Sequence, residues 1–223
     1  MGIIKKRLLF LNSISEELKD YSNKIESHCI PLIKTSSNKI NPKDYDTKIP
    51  WVITSQSAAK VIIEFPKLSD KIYTVGQRTA SHFKDAIFPE INTALELAKL
   101  IERNNEKKVV FFCGNKRRND LPNYLNSIEI EVKEVVVYDT EIIDKNVNLL
   151  DYDALAFMSP SSVNAMANKN GFGNLPCFAI GKTTGEALNQ HNQNYKLSDE
   201  PNAASIIEAV EYFFLNKWNN SQN

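Results

Sequence analysis

Hydroxyl and amide side chains recur in one kind of place along this chain, the polar turn that follows a short apolar run. Ser55 and Ser57 follow the run 51–54, Thr79 follows 72–75 across Gly76, and Asn115 follows Gly114. Ser159 and Ser161 follow 155–158, while Thr183 and Thr184 follow 177–180 across Gly181. These groups form hydrogen bonds but are weak bases. They suit the binding of carboxylates and the holding of a flexible ligand. At a helix start the same Ser and Thr residues also serve as plain N-caps.

One of these turns is basic. Residues 108–122 read KVVFFCGNKRRNDLP, with Lys116, Arg117 and Arg118 just beyond the wholly apolar run 109–112. Such a run reads as a strand buried on both faces. Asn119-Asp120 then supplies N-cap residues for a helix. Ligands of open α/β sheets bind beyond the carboxyl ends of strands, and helix-start N–H groups favour anions. A carboxylate or phosphate fits there. A solvated basic loop is the alternative.

Several chemistries are argued against. The Gly76 and Gly181 turns do not complete a dinucleotide fingerprint, and the chain has no phosphate-binding P-loop, G-x-S-x-G elbow or H-E-x-x-H pair. His28, His82 and His191 stand apart and read as structural or exposed. Cys29, Cys113 and Cys177 are scattered, odd in number and without metal spacing, which suits a reducing cytosol. Lys+Arg and Asp+Glu are each 27, so the formal net charge is zero and a strongly basic nucleic-acid binder is disfavoured. No apolar run approaches membrane-spanning length. Lys5-Lys6-Arg7 precedes only the short run 8–11, which reads as a first strand rather than a leader. What remains is a site that binds a polyanion and steers its shape.

These turns need a scaffold, and the alternating pattern supplies one. With 223 residues and 42% apolar content, one large or two small domains can form. Expected strands are 7–11, 29–33, 51–54, 72–75, 109–112, 128–138, 155–158, 177–180 and 195–197, with a short one at 86–88. Expected helices lie at 14–25, 58–65, 78–83, 94–101, from 119, 162–168, 183–190 and 203–218. Residues 35–48 read mostly as linker and loop, and the polar tail 216–223 as frayed. Strand–helix alternation of this kind is the signature of parallel α/β architecture.

The chain also repeats itself. VITSQSA at 52–58 resembles AFMSPSS at 156–162, and IYTVGQRT at 72–79 resembles CFAIGKTT at 177–184. Residue 159 stands 104 beyond residue 55, and residue 181 stands 105 beyond residue 76. Two strand–turn–helix pairs at nearly one offset argue for two similar domains. Residues 38–138 hold about five expected strands and 143–223 only about three, so the N-terminal strands are expected to complete the latter. Domain 1 is then 1–34 plus 143–223, domain 2 is 38–138, and linkers lie near 35–37 and 139–142. A cleft between such domains is the expected ligand site.

The ordered set ITSQSA (53–58), VGQRTA (75–80), FFCGNKRRNDLP (111–122), VYDT (137–140), FMSPSSV (157–163) and AIGKTTGEAL (179–188) resembles the uroporphyrinogen-III synthase family over nearly the whole chain. Two departures stand out. Gln56 occupies a place where many members carry Pro, and Asn12-Ser13 stand where an Arg is frequent.

The resemblance implies two flavodoxin-like parallel-sheet α/β domains on a two-stranded hinge linker, the first discontinuous. It implies a cofactor-free, metal-free cyclising hydro-lyase of tetrapyrrole (haem) biosynthesis. Hydroxymethylbilane, a linear tetrapyrrole rich in acetate and propionate, would close with inversion of ring D, through a spiro intermediate, to uroporphyrinogen III and water. By the same resemblance Tyr138 matches the tyrosine assigned to hydroxyl departure. Substrate contacts fall on Ser55, Gly76, Thr79, Gly114, Asn115, Arg118, Ser159, Ser161, Gly181, Thr183 and Thr184. The implied setting is cytoplasmic and monomeric, with substrate handed over by hydroxymethylbilane synthase and no nucleic-acid or membrane partner. The competing readings are a non-catalytic two-domain binding protein for an acidic small ligand, and a scaffold built from a duplicated flavodoxin-like unit. For Tyr138 the alternative is a strand-end aromatic packed at the hinge.

Overall fold

The computed structural model describes residues 5–220, so positions 221–223 of the expected frayed tail lie outside the described residues. In chain order the strands are β1 (Lys6–Phe10), β2 (Ile25–Cys29), β3 (Ile33–Ser37), β4 (Trp51–Ile53), β5 (Ile72–Thr74), β6 (Lys108–Gly114), β7 (Glu131–Ile142), β8 (Ala154–Phe157), β9 (Cys177–Ala179) and β10 (Tyr195–Leu197). The helices are α1 (Gln56–Ile62), α2 (Gln77–Ala80), α3 (Ala94–Arg103), α4 (Asp120–Ser127), α5 (Pro160–Lys169), α6 (Lys182–Gln190) and α7 (Ala203–Asn220). The chain separates into two compact units, one made of residues up to Lys34 with those from Glu141 onward, the other of Thr35–Thr140.

In the discontinuous unit the sheet order is β10-β9-β8-β1-β2, and neighbouring strands pair in parallel throughout. Numbered by their own succession these strands run 2-1-3-4-5 from the β2 edge, the flavodoxin-like order. Both faces are covered, which is why the inner strands β8 and β9 are wholly apolar and buried. Leu9, Leu155 and Phe157 pack with Val163 and Met166 of α5 and Leu188 of α6. Leu8, Phe10, Ile25 and Phe178 pack on the other face with Ile206, Ile207 and Val210 of α7.

The second unit has the order β3-β7-β6-β4-β5, with β5, β4, β6 and β7 mutually parallel. Trp51, Ile53 and Phe112 meet Ile62 of α1 on one face. Val52, Tyr73 and Phe111 meet Leu97 and Ile101 of α3 and Leu121 and Leu125 of α4 on the other. In both sheets the strand that feeds a Ser turn lies beside the strand that feeds a Gly turn, β4 beside β5 and β8 beside β9. The internal repeat therefore has a spatial counterpart.

Four local expectations are corrected. The helix expected at 14–25 is only a 3₁₀ turn, Glu16–Leu18. Ile25 instead opens β2, and the Ser22 hydroxyl ends the turn by accepting from the N–H groups of Lys24 (3.0 Å) and Ile25 (3.1 Å). The apolar spacing is still used, because Ile14 and Leu18 cover the α7 face of the core. Secondly, the strand expected at 29–33 divides into the end of β2 and the start of β3, and β3 takes up part of the expected 35–48 loop. Thirdly, residues 38–138 contribute four named strands rather than five, since 86–88 forms only the single bridge Tyr73–Ile87. Finally, Asn119 does not cap α4 through its side chain, because its Oδ1 accepts from Arg117 Nη1 at 2.9 Å.

Candidate functional site

In an open sheet the ligand crevice lies at the carboxyl edge where the strand order reverses. In the second unit that point falls between β4 and β6. Ile53 is in register with both Thr74 and Phe112, so the Ser55, Gly76 and Gly114 turns emerge side by side. The Ser55 hydroxyl caps α1 by accepting from Ala58 N–H at 3.1 Å.

Gly114 and Tyr138 form a single device. The register passes from Cys113–Val136 to Gly114–Tyr138, so Val137 is skipped in a β-bulge. Bulges commonly re-aim a side chain, and here the phenol ring of Tyr138 is laid across Gly114. A Cβ on Gly114 would lie 2.4 Å from Tyr138 Cζ, 2.5 Å from Cε2 and 2.8 Å from the phenol oxygen. Glycine is thus required by close approach of a ring. Asn115 closes the arrangement, its N–H donating to the Tyr138 carbonyl at 3.2 Å and its Oδ1 accepting from Thr140 N–H at 2.9 Å.

The basic turn is partly self-neutralised. Arg117 pairs with Glu134. Arg118 Nε lies 2.9 Å from Asp120 Oδ2, with the Arg118 side chain 60% exposed. Lys116 is exposed. Arg118 stays at the surface, tethered beside the N-terminus of α4. Beneath the turn, burial first and then the Glu134 charge push the Cys113 thiol up to about 11. Cys113 is held as a neutral thiol and is no nucleophile.

In the discontinuous unit the order reverses between β1 and β8. Ser159 caps α5 by accepting from Ser162 N–H at 3.3 Å. Asn12 bridges the two strand ends, its Oδ1 accepting from Met158 N–H at 3.0 Å and its Nδ2 donating to Ser159 Oγ at 3.4 Å. Ser161 is half-buried in the first turn of α5, and Thr183 is exposed in the first turn of α6. Gly181 is extended, with φ 178°, and nothing stands within 4 Å of where its Cβ would be. Its Cβ position is open space.

Gly76 and Gly181 have matching extended conformations, and the third residue after each is a threonine. Both threonines are interior, with Thr79 4% and Thr184 2% exposed. Thr79 Oγ1 accepts from Gln56 Nε2 at 3.1 Å.

Sequence reasoning passes over the amides that join the turns. Gln56 Nε2 donates to the Arg78 carbonyl at 2.7 Å and to Thr79 Oγ1 at 3.1 Å, and its Oε1 lies 3.0 Å from His82 Nε2. Asn12 does similar work in the other unit. In the sequence both stand out only as departures from a family pattern. A signal is nonetheless there, since an amide directly after a strand or its Ser turn has the reach to bind the neighbouring turn.

Two parallel-sheet units with hydrogen-bonding turns at the carboxyl edges of their strands define a two-unit α/β protein. The family model described as Uroporphyrinogen-III synthase HemD matches residues 12–208, and the chain belongs to the uroporphyrinogen-III synthase family. Among solved structures it is similar to uroporphyrinogen III synthase from the extremely thermophilic bacterium Thermus thermophilus, in a mutant form, with a TM-score of 0.69 and 15% identity, covering 95% of this chain and 99% of that one. It is also similar to uroporphyrinogen-III synthetase from Helicobacter pylori, with a TM-score of 0.62 and 18% identity, covering 93% of this chain and 99% of that one. At these identities the structures speak for the fold. No curated protein sequence gives a significant match. No helix among the described residues is long and apolar enough to cross a membrane.

Proposed function

We propose that this enzyme closes hydroxymethylbilane, with inversion of ring D, to uroporphyrinogen III and water. The observation that supports this most directly is the Gly114–Tyr138 crossing at the β6 carboxyl edge, among turns rich in hydrogen-bond donors. Unassisted closure gives the non-inverted isomer, so the enzyme's task is mainly positioning. The Ser55, Gly76 and Asn115 turns and Arg118 bind substrate carboxylates from one unit. The candidate contacts carried by the other unit are the Ser159-Ser161 and Gly181-Thr184 turns, and Thr79 belongs with the Gly76 turn. Backbone N–H groups and a guanidinium bind carboxylates with charge-assisted hydrogen bonds.

Departure of the terminal hydroxyl breaks a C–O bond and needs a proton to leave as water. The Tyr138 phenol, a hydrogen-bond donor, gives it. Inversion then forms a C–C bond from the freed methylene to the substituted α-carbon of ring D, giving the spiro intermediate; the older methylene bond at that carbon breaks, the methylene it releases bonds to the unsubstituted α-carbon of ring D, and the proton lost there restores the phenol. Substrate arrives from hydroxymethylbilane synthase, and the protein acts as a cytoplasmic monomer in the pathway toward haem.

The test is to incubate purified protein with hydroxymethylbilane and resolve the product isomers by chromatography. Isomer III well above the non-enzymatic background is the expected result. Background composition at every enzyme concentration would leave a non-catalytic binding protein.

A further inference from the structure

Gln56 is a heavily engaged polar side chain at the carboxyl edge of the second unit, and the reaction outlined above gives it no part. It is the first residue of α1, directly after the capping Ser55. Its side chain leaves α1 and reaches the next turn. There Nε2 binds both the Arg78 carbonyl and Thr79 Oγ1, while Oε1 meets His82 Nε2. The two ends of the amide are not interchangeable in this setting. A carbonyl can only accept, so the NH₂ end must face Arg78, and His82 must then carry its proton on Nε2 to donate to Oε1. The Arg78 carbonyl thus sets the direction of the amide, and His82 completes its bonding.

The element held in this way needs holding. The helix α2 is a single turn, Gln77–Ala80, too short to be stable by its own hydrogen bonds. It follows an extended Gly76, whose far side is closed by Asn92, with side-chain atoms 2.6–2.9 Å from where a Cβ would be. Asn92 fixes the entrance of the turn and Gln56 fixes its exit. Between them lie the N–H groups of the Gly76–Thr79 segment.

We infer that Gln56 is a positioning residue, which locks the Gly76–Thr79 turn to the Ser55 turn so that the two bind adjacent substrate carboxylates as one rigid surface. This rests on the reading of the turns as the substrate site. Gln56 touches no reacting atom. It acts through the backbone it holds, and a surface ordered before the substrate arrives loses less entropy on binding.

The experiment compares wild type with Gln56→Leu, which keeps the side-chain bulk and removes all three hydrogen bonds. A second variant, His82→Phe, keeps a ring and removes only the partner of Gln56 Oε1. Measured quantities are KM and kcat for hydroxymethylbilane, the fraction of isomer III, and the melting temperature. For Gln56→Leu we expect KM to rise about tenfold with kcat within about twofold, and for His82→Phe a smaller rise in KM. Adding Thr79→Val to Gln56→Leu should raise KM little further, because the shared contact is already gone. The isomer III fraction should fall in Gln56→Leu. Wild-type KM and isomer fraction in both variants would overturn the inference. So would equal losses of kcat and stability without a change in KM, which mark a merely structural role. If the wild-type protein itself yields no isomer III, the functional reading fails instead.

Discussion

Replacing Gly114 with alanine puts the Tyr138 device under a specific load. The new methyl carbon would stand 2.4 Å from Cζ and 2.5 Å from Cε2, where ordinary contact begins at 3.4 Å. The ring must retreat by about 1 Å, and it is wedged against the core that contains Trp51 and Phe112. Interiors are close-packed, and overpacking costs about 1–3 kcal/mol. For a chain of this size each kcal/mol is about 2–4 °C in Tm, so the melt should fall by roughly 2–12 °C. A displacement of about 1 Å in a reacting group can cost ~10²-fold in rate, and we expect a loss near that size in the initial rate of isomer III formation. The ring contact is isolated by repeating the substitution in a Tyr138→Ala background, where no ring remains to displace. There Gly114→Ala should lower the melt no further. Tyr138→Phe completes the set: it keeps the ring, removes the donor, and should lower the rate by up to about 10²–10⁴-fold with an unchanged melt. A Gly114→Ala enzyme with full rate and melt would refute the reasoning. So would an equal loss of stability in the Tyr138→Ala background, which would place the cost in the backbone.

Three further outcomes are expected. Arg118→Ala should raise KM several-fold at low salt, and the gap from wild type should close at high ionic strength, where screening already weakens a surface contact; equal KM at low salt would remove Arg118 from the site. Glu211 is held below its ordinary 4.5 by the Lys24 ammonium, then by the Ser22 hydroxyl, so its contribution is present above that value and is lost as pH falls through the lower folded one. Glu211→Gln should therefore lower Tm slightly at pH 7, by up to about 1 kcal/mol in stability, and the gap should vanish in acid; a gap independent of pH would contradict the ion-pair account. Burial pushes the thiols of Cys113 and Cys177 up to about 11 and about 12. At pH 8 the thiolate is then about one part in a thousand or less, and iodoacetamide should label neither in the native protein but both after denaturation, as read by mass spectrometry.

What can be read from the chain alone is whatever depends on neighbours in sequence. Apolar runs such as 109–112 announce strands because burial on both faces needs every residue to be apolar. Ser55 and Ser159 announce helix starts because a cap bonds to an N–H three residues on. The spacing of 104 and 105 residues carries over into two sheets with matching strand neighbours, since similar strand–turn–helix segments fold alike. Tertiary structure decides the rest. Ile14, Leu18 and Ile25 have helical spacing, yet Ile25 belongs to a strand, because a place beside β1 lies open and a parallel ladder satisfies the backbone there. Thr79 and Thr184 follow matching Gly turns in the sequence, but how deeply each is buried is decided by packing. Gln56 finds its partners across a turn more than twenty residues away, and Gly114 is needed only because a bulge in the neighbouring strand brings Tyr138 over it. Such contacts join segments that are far apart in sequence, and a linear pattern has no way to encode the distance between them.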